Sequence, residues 1–212
     1  MYKIYFLDVN KLKESFSFEE IYYKVSSYRK SKVDKLLFDK DKWLSLGAEY
    51  LLMQGLREFN IDYSQIEIGL VENNKPFFKN CPVELYFNLS HSGEMAMCVI
   101  SDSDVGCDIQ KVSNKEKNLD VAERFFNSSE IEIIKNCKES ERNNLFYRIW
   151  VIKESYIKAT GKGFKMPLKN FKIVFENDIP KAYVNDILDN RFIFKEIDVG
   201  NTNYKSAICM KV

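Results

Sequence analysis

The sequence predicts an α+β protein of two similar lobes, residues 1–102 and 103–212, and three observations predict it. Helical spacing followed by short strand patterns occurs twice along the 212 residues. Met95-Ala96-Met97-Cys98-Val99, late in the first round, resembles Ser206-Ala207-Ile208-Cys209-Met210, late in the second. No low-complexity stretch or flexible linker separates the rounds, so two lobes packed together are expected rather than two independent domains.

In chain order, residues 2 to 9 read as a strand. Helical spacing covers 18 to 31 and then 33 to 58, where Val33, Leu36, Leu37, Leu44, Ala48, Leu51, Leu52 and Leu56 share a stripe. Strands follow at 66 to 71, 85 to 90, 94 to 101 and 104 to 111, with turns at Asn73-Asn74, Lys75-Pro76, Ser92-Gly93 and Asp102-Ser103. A second helical block starts near Asn127-Ser128-Ser129-Glu130, where a side-chain oxygen can cap it and Ser129 with Glu132 has the capping-box spacing. It breaks near 140, and a stronger helix from Glu141 to Thr160 stops at Gly161-Lys162-Gly163. Strands at 171 to 176, 181 to 185, 191 to 197 and 204 to 211 close the chain.

A composition of 45% hydrophobic and 14% aromatic residues is that of a globular protein and not of a disordered one. Lysine and arginine number 32 against 31 acids, so no net field draws the chain onto nucleic acid or an anionic membrane, and any anion site must be local. The five cysteines form no Cys-x-x-Cys pair and read as reduced thiols of a cytoplasmic protein. The start fits a strand better than a signal peptide, and nowhere do 18 apolar residues run together.

Three segments could do chemistry. In Gly106-Cys107-Asp108-Ile109-Gln110, alternation puts Asp108 and Gln110 on one face of a strand. Two oxygen donors then converge, as a magnesium ion with a sparse protein shell requires; the alternative is the solvent face of an edge strand. In Trp150 to Lys158, offsets of three, four and eight place Trp150, Lys153, Glu154 and Lys158 near one side of a helix. This is either a surface Glu-Lys pair beside a core tryptophan, or a glutamate for a metal or proton with lysines for phosphates. In Asn88-Leu89-Ser90-His91-Ser92, His91 is the only histidine, which excludes a metal site built of histidines and leaves an anion contact, a proton carrier or a structural residue. Ser90 and His91 point to opposite faces of a strand and no Gly-x-Ser-x-Gly elbow exists, against a serine hydrolase. Arg29 and Lys32, three apart in a basic run, could hold one phosphate from one helical side.

In order and spacing these segments resemble the surfactin-synthetase-activating type of 4'-phosphopantetheinyl transferase. The parts that carry the resemblance are Lys75-Pro76-Phe77, Phe87 to Gly93, Val105 to Gln110, Arg124-Phe125-Phe126 with Glu130, and Trp150 to Lys158 followed by Gly161-Lys162-Gly163. The resemblance implies two α+β halves related by a pseudo-twofold axis, with coenzyme A between them. It implies magnesium, with manganese as a substitute, on Asp108, Gln110 and Glu154, and coenzyme A contacts at Arg29, Lys32, Ser45, Lys75, Ser90, His91, Lys153 and Lys158. Glu154 would be the general base, with Asp108 and Lys158 completing the catalytic set. Gln110 stands where relatives often have a third acid, and Trp43-Leu44 stands where they are often basic. The implied reaction moves the 4'-phosphopantetheine arm of coenzyme A onto a serine of an apo acyl, polyketide or peptidyl carrier protein. The region 111 to 135 would be its docking surface and the enzyme a monomer. A noncatalytic coenzyme A or nucleotide-binding module is the principal rival, and a magnesium-dependent nuclease or phosphatase a second; the near-zero net charge speaks against the nuclease.

Overall fold

The computed structural model describes residues 1–113 and 118–212 and divides into two compact units, Met1–Val105 and Gly106–Val212.

The first unit opens with strand β1 (Tyr2–Asp8). Asp8 then caps helix α1 (Val9–Ser15) by accepting from the Asn10 amide. Helix α2 (Phe18–Tyr22) starts in a reciprocal capping box of Ser17 and Glu20, and α3 (Ser27–Val33) is capped by Ser26. The long helix α4 (Asp39–Arg57) follows, so the stripe expected from 33 to 58 is two helices and not one. The chain leaves helical geometry at Phe38, the extended residue before α4 (φ −97°, ψ 133°), and Leu37 is 86% exposed instead of lying on the stripe. Strands β2 (Ile68–Leu70) and β3 (Pro76–Phe78) pair as a small ribbon. Then come β4 (Tyr86–Ser92), β5 (Met95–Ser101) and β6 (Val105–Lys111), the last of which belongs almost wholly to the second unit. β5 is the centre of an antiparallel sheet ordered β1-β5-β4, with Cys98 opposite both Tyr5 and Leu89. α4 covers this sheet with Leu44, Ala48, Leu51, Leu52 and Leu56, all buried.

The second unit adds α5 (Asn118–Phe125), α6 (Ser128–Asn136) and α7 (Glu139–Thr160). The capping box at α6 is made by Asn127 with Glu130 and not by Ser129 with Glu132; Ser129 lies inside the helix and donates to the Asn127 side chain. α7 ends at Gly161, whose left-handed φ of 65° suits a residue without a Cβ. β7 (Phe171–Glu176), β8 (Ile179–Val184) and β9 (Ile187–Leu188) form one sheet. Its two-residue turns at Asn177-Asp178 and Asn185-Asp186 hold φ of 51° to 66°, as a primed hairpin turn requires. β10 (Phe192–Glu196) and β11 (Tyr204–Lys211) complete a second sheet, ordered β10-β11-β6, against which α7 packs. The two segments alike in sequence are thus the central strands, β5 and β11, of the two sheets. None of the five cysteines forms a disulfide. Among the described residues no helix is long and apolar enough to cross a membrane.

Candidate active site

Gly106 decides how the second unit builds its site. A Cβ there would lie 2.1 Å from the Ser155 carbonyl oxygen and 2.3 Å from the Ala159 nitrogen, so β6 runs directly against the backbone of α7. That approach brings Asp108, two residues on, beside the acid and cation that α7 presents. Asp108 is 2% exposed, which removes the solvent-face alternative. Lys158 donates to the Asp108 carboxylate at 2.6 Å and to the Cys107 carbonyl at 3.0 Å, and the Gln110 amide donates to the other Asp108 oxygen at 3.2 Å. Glu154 lies one helical turn before Lys158. Burial, and after it the Asp108 carboxylate, push the Glu154 carboxyl above its ordinary range, while Lys158 pulls it back. Burial pulls Lys158 down, but Asp108 and Glu154 outweigh it and hold the ammonium above its usual value. The result is two carboxylates, an amide and a cation, with the Glu154 carboxyl held above its ordinary range.

Lys153 is not part of this group. Its side chain is fully buried, and its ammonium donates at 2.7 Å to each oxygen of Glu130 and at 2.7 Å to the Phe171 carbonyl. The expectation that it contacts coenzyme A is corrected: no atom of its side chain is open to a phosphate. Burial pushes this ammonium below its ordinary value, against the pull of Glu130. Trp150, one turn earlier, packs with tilted rings against Phe126 and Phe146 at the edge of the core.

The first unit holds the other expected contacts in separate places. Arg29, 6% exposed, donates to Glu49 at 2.8 Å and to the buried Ser45 hydroxyl at 3.1 Å. Glu49 also accepts from the Ser26 amide and the Tyr63 hydroxyl, whose pKa burial, and after it the Glu49 charge, raise. Lys32 is exposed, its ammonium 4.7 Å from the centre of the Tyr28 ring. Arg29 and Lys32 lie one helical turn apart on α3, but Arg29 is engaged with Glu49 and Ser45 while Lys32 is exposed beside Tyr28. Lys75 reaches to 3.5 Å from Asp104 at the rim of a cavity of about 510 Å³ lined by Pro76, Phe77, Leu85 and Phe87. Ser90 is buried and His91 exposed, on opposite faces of β4.

Among the described residues no three His, Cys, Asp or Glu side chains cluster to enclose a metal. Asp108 and Glu154 with the Gln110 amide nevertheless fit magnesium, which takes one or two carboxylates and completes its octahedron with water and substrate phosphate oxygens.

The family profile described as 4'-phosphopantetheinyl transferase superfamily matches residues 104–209, and the profile described as 4'-phosphopantetheinyl transferase, N-terminal, matches residues 14–103. The chain belongs to the 4'-phosphopantetheinyl transferase superfamily. It is 30% identical over 155 residues to a 4'-phosphopantetheinyl transferase of Bacillus subtilis, covering 73% of this chain and 68% of that one. To the 4'-phosphopantetheinyl transferase Sfp of B. subtilis strain 168 it is 29% identical over 192 residues, 87% of this chain and 81% of that one. A transferase of Aneurinibacillus migulanus, gsp, is 37% identical over 135 residues, 63% and 55% of the two chains. In this transferase, sequence reasoning gave no role to Glu130, Glu49 or the backbone contact at Gly106. Glu130 and Gly106 left a signal only as members of segments that carry the family resemblance, Glu130 also as the third residue after a capping asparagine.

Proposed function

We propose that this transferase moves the 4'-phosphopantetheine arm of coenzyme A onto a serine of an apo carrier protein, with magnesium held by Asp108, Glu154 and Gln110. The observation that carries the reading is the convergence of Asp108, Glu154 and Lys158 where β6 meets α7. The serine oxygen attacks the β-phosphorus of coenzyme A and forms the new P–O bond. The bond from that phosphorus to the bridging oxygen breaks, and 3',5'-ADP leaves with the electron pair. Glu154 takes the serine proton, directly or through a water. Lys158 sits where it can meet charge developing on the phosphate oxygens. Magnesium, when bound, neutralises the pyrophosphate oxygens and orients them.

In this reading Lys75, His91 and Lys32 serve the nucleotide end of coenzyme A, and the carrier docks on the 111 to 135 region, of which 114–117 lie outside the described residues. Phe125 at 40% and Ile133 at 46% exposure support that surface. The enzyme acts as a monomer, and in the cytoplasm, a location that five cysteines outside any disulfide support. The test is the intact mass of several apo carriers after incubation with the enzyme, coenzyme A and magnesium. A gain of one phosphopantetheine that a chelator abolishes is expected. Coenzyme A binding with no gain on any carrier would favour the noncatalytic module, the rival that the neutral Gln110 encourages.

A further inference from the structure

We propose that Lys153 is a positioning residue: clamped to Glu130, it sets the rotation of α7 that holds Glu154 beside Asp108 and Lys158, and it binds no phosphate. The proposal rests on the reading that Asp108 and Glu154 serve the transfer.

An ammonium has three protons to give. Those of Lys153 match three acceptors at 2.7 Å, the two Glu130 oxygens and the Phe171 carbonyl, inside a seat closed by the Phe171 ring, 4.2 Å from the nitrogen. The seat is itself fixed to backbone. Glu130 accepts from the Asn127 amide at 2.9 Å and the Ile173 amide at 2.7 Å, so one carboxylate ties the start of α6, the strand β7 and the middle of α7. Successive residues of a helix project about 100° apart. Fixing Lys153 in this seat therefore fixes the direction of Glu154. At the next turn Gly106 of β6 presses on the helix backbone from Ser155 to Ala159, so α7 is held at two places that flank Glu154 and neither can give without the other. A lysine that reached for a phosphate would have to leave Glu130 as a buried, uncompensated carboxylate.

The experiment compares Lys153→Met, Glu130→Gln and their double variant with the unmodified enzyme, on the full chain with an apo carrier. It reads kcat, KM for coenzyme A, and Mn2+ binding by electron paramagnetic resonance of the free ion, per folded molecule by circular dichroism. Positioning predicts that Lys153→Met lowers kcat by about tenfold or more and weakens Mn2+ binding by a similar factor, with KM for coenzyme A changed less than about threefold. The double variant leaves no unpaired buried charge but also no clamp, so kcat and Mn2+ affinity stay about tenfold below the parent while KM for coenzyme A again changes less than about threefold. A KM for coenzyme A raised about tenfold in the double variant would make Lys153 a phosphate ligand and overturn the proposal. So would an unchanged kcat and Mn2+ affinity in a single variant that only melts earlier, which would make the pair purely structural. If the single variants do not fold, the charge-free double variant decides alone on the same readings. An unmodified enzyme that transfers nothing would instead refute the function proposed above, a result distinct from each of these.

Discussion

The two units solve the same packing problem differently. In each, one long helix covers a three-stranded sheet, α4 on β1-β5-β4 and α7 on β10-β11-β6, and in each a buried ion pair ties that helix to a shorter one, Glu49 to Arg29 and Lys153 to Glu130. The close approach differs. In the first unit the glycine lies in the helix: a Cβ on Gly55 would meet the side-chain tips of Ile100 and Tyr5 at 2.7 Å. In the second it lies in the strand, and a Cβ on Gly106 would meet helix backbone. Backbone against backbone leaves no side chain to yield, and it is there that a second acid–cation group, Asp108, Glu154 and Lys158, gathers. The first unit keeps its buried pair as structure; in the second, one buried pair holds the helix, and the other group is the one proposed to serve the transfer.

The sharpest way to break this contrast is to give both glycines a Cβ. Gly106→Ala should cost about 3 kcal/mol or more and abolish transfer, because the strand must move off α7. Gly55→Ala should cost about 1–2 kcal/mol, partly offset by better helix propensity, and leave turnover per folded molecule unchanged. Thermal melts and initial rates on both variants check this; equal losses at the two sites would dissolve the distinction. Next in size, Glu154→Gln should lower kcat by about 10²- to 10⁴-fold at saturating magnesium, without lowering Tm, since the amide removes a carboxylate that burial and Asp108 already disfavour. A near-parental turnover would remove Glu154 as the base. In the first unit, Arg29→Met or Glu49→Gln alone should cost about 3–5 kcal/mol, and the pair together much less, in a denaturant titration.

A smaller effect concerns the far end of α7. Tyr156 donates to Asp189 at 2.6 Å, and Arg191 also donates to it, at 2.7 and 2.8 Å. Arg191 chiefly, with the Tyr156 hydroxyl, holds the Asp189 carboxyl down at about 2. A folded-state pKa below the unfolded one means stability that is present above pH 4 and lost as the pH falls toward 2. Since Arg191 is largely exposed, that contribution is about 1 kcal/mol. Asp189→Asn should therefore be less stable than the parent at pH 6 and nearly equal to it near pH 2.

Smallest of all, Gln110→Glu should lower the magnesium concentration for half-maximal rate, and an unchanged value would place Gln110 outside the metal shell.

Much of this was legible in the sequence, for reasons particular residues make plain. Asp108 and Gln110 are one strand period apart, and Glu154 and Lys158 one helical turn apart, so local geometry alone put each pair on a common side. Lys153 and Glu154 are neighbours in sequence, and spacing did not tell which would turn inward; that was set by Glu130, 23 residues away, through folding of the whole unit. The apolar stripe through Leu36 and Leu37 hid the break between α3 and α4, because periodicity continued across a turn whose signal was only the extended Phe38. The short β3 and β9, and the helix α5, carried too few periodic residues to stand out. Arg29 was read as a phosphate contact because its partner Glu49 lies on another helix.

The measurement that tests the central claim most directly is the rate of 3',5'-ADP release by Asp108→Asn, at saturating coenzyme A, magnesium and apo carrier, with folding verified by circular dichroism. If β6 and α7 meet to form the transfer site, the rate falls by about 10²-fold or more while the protein remains folded and still binds coenzyme A. A rate within about twofold of the parent would place the chemistry elsewhere in the molecule.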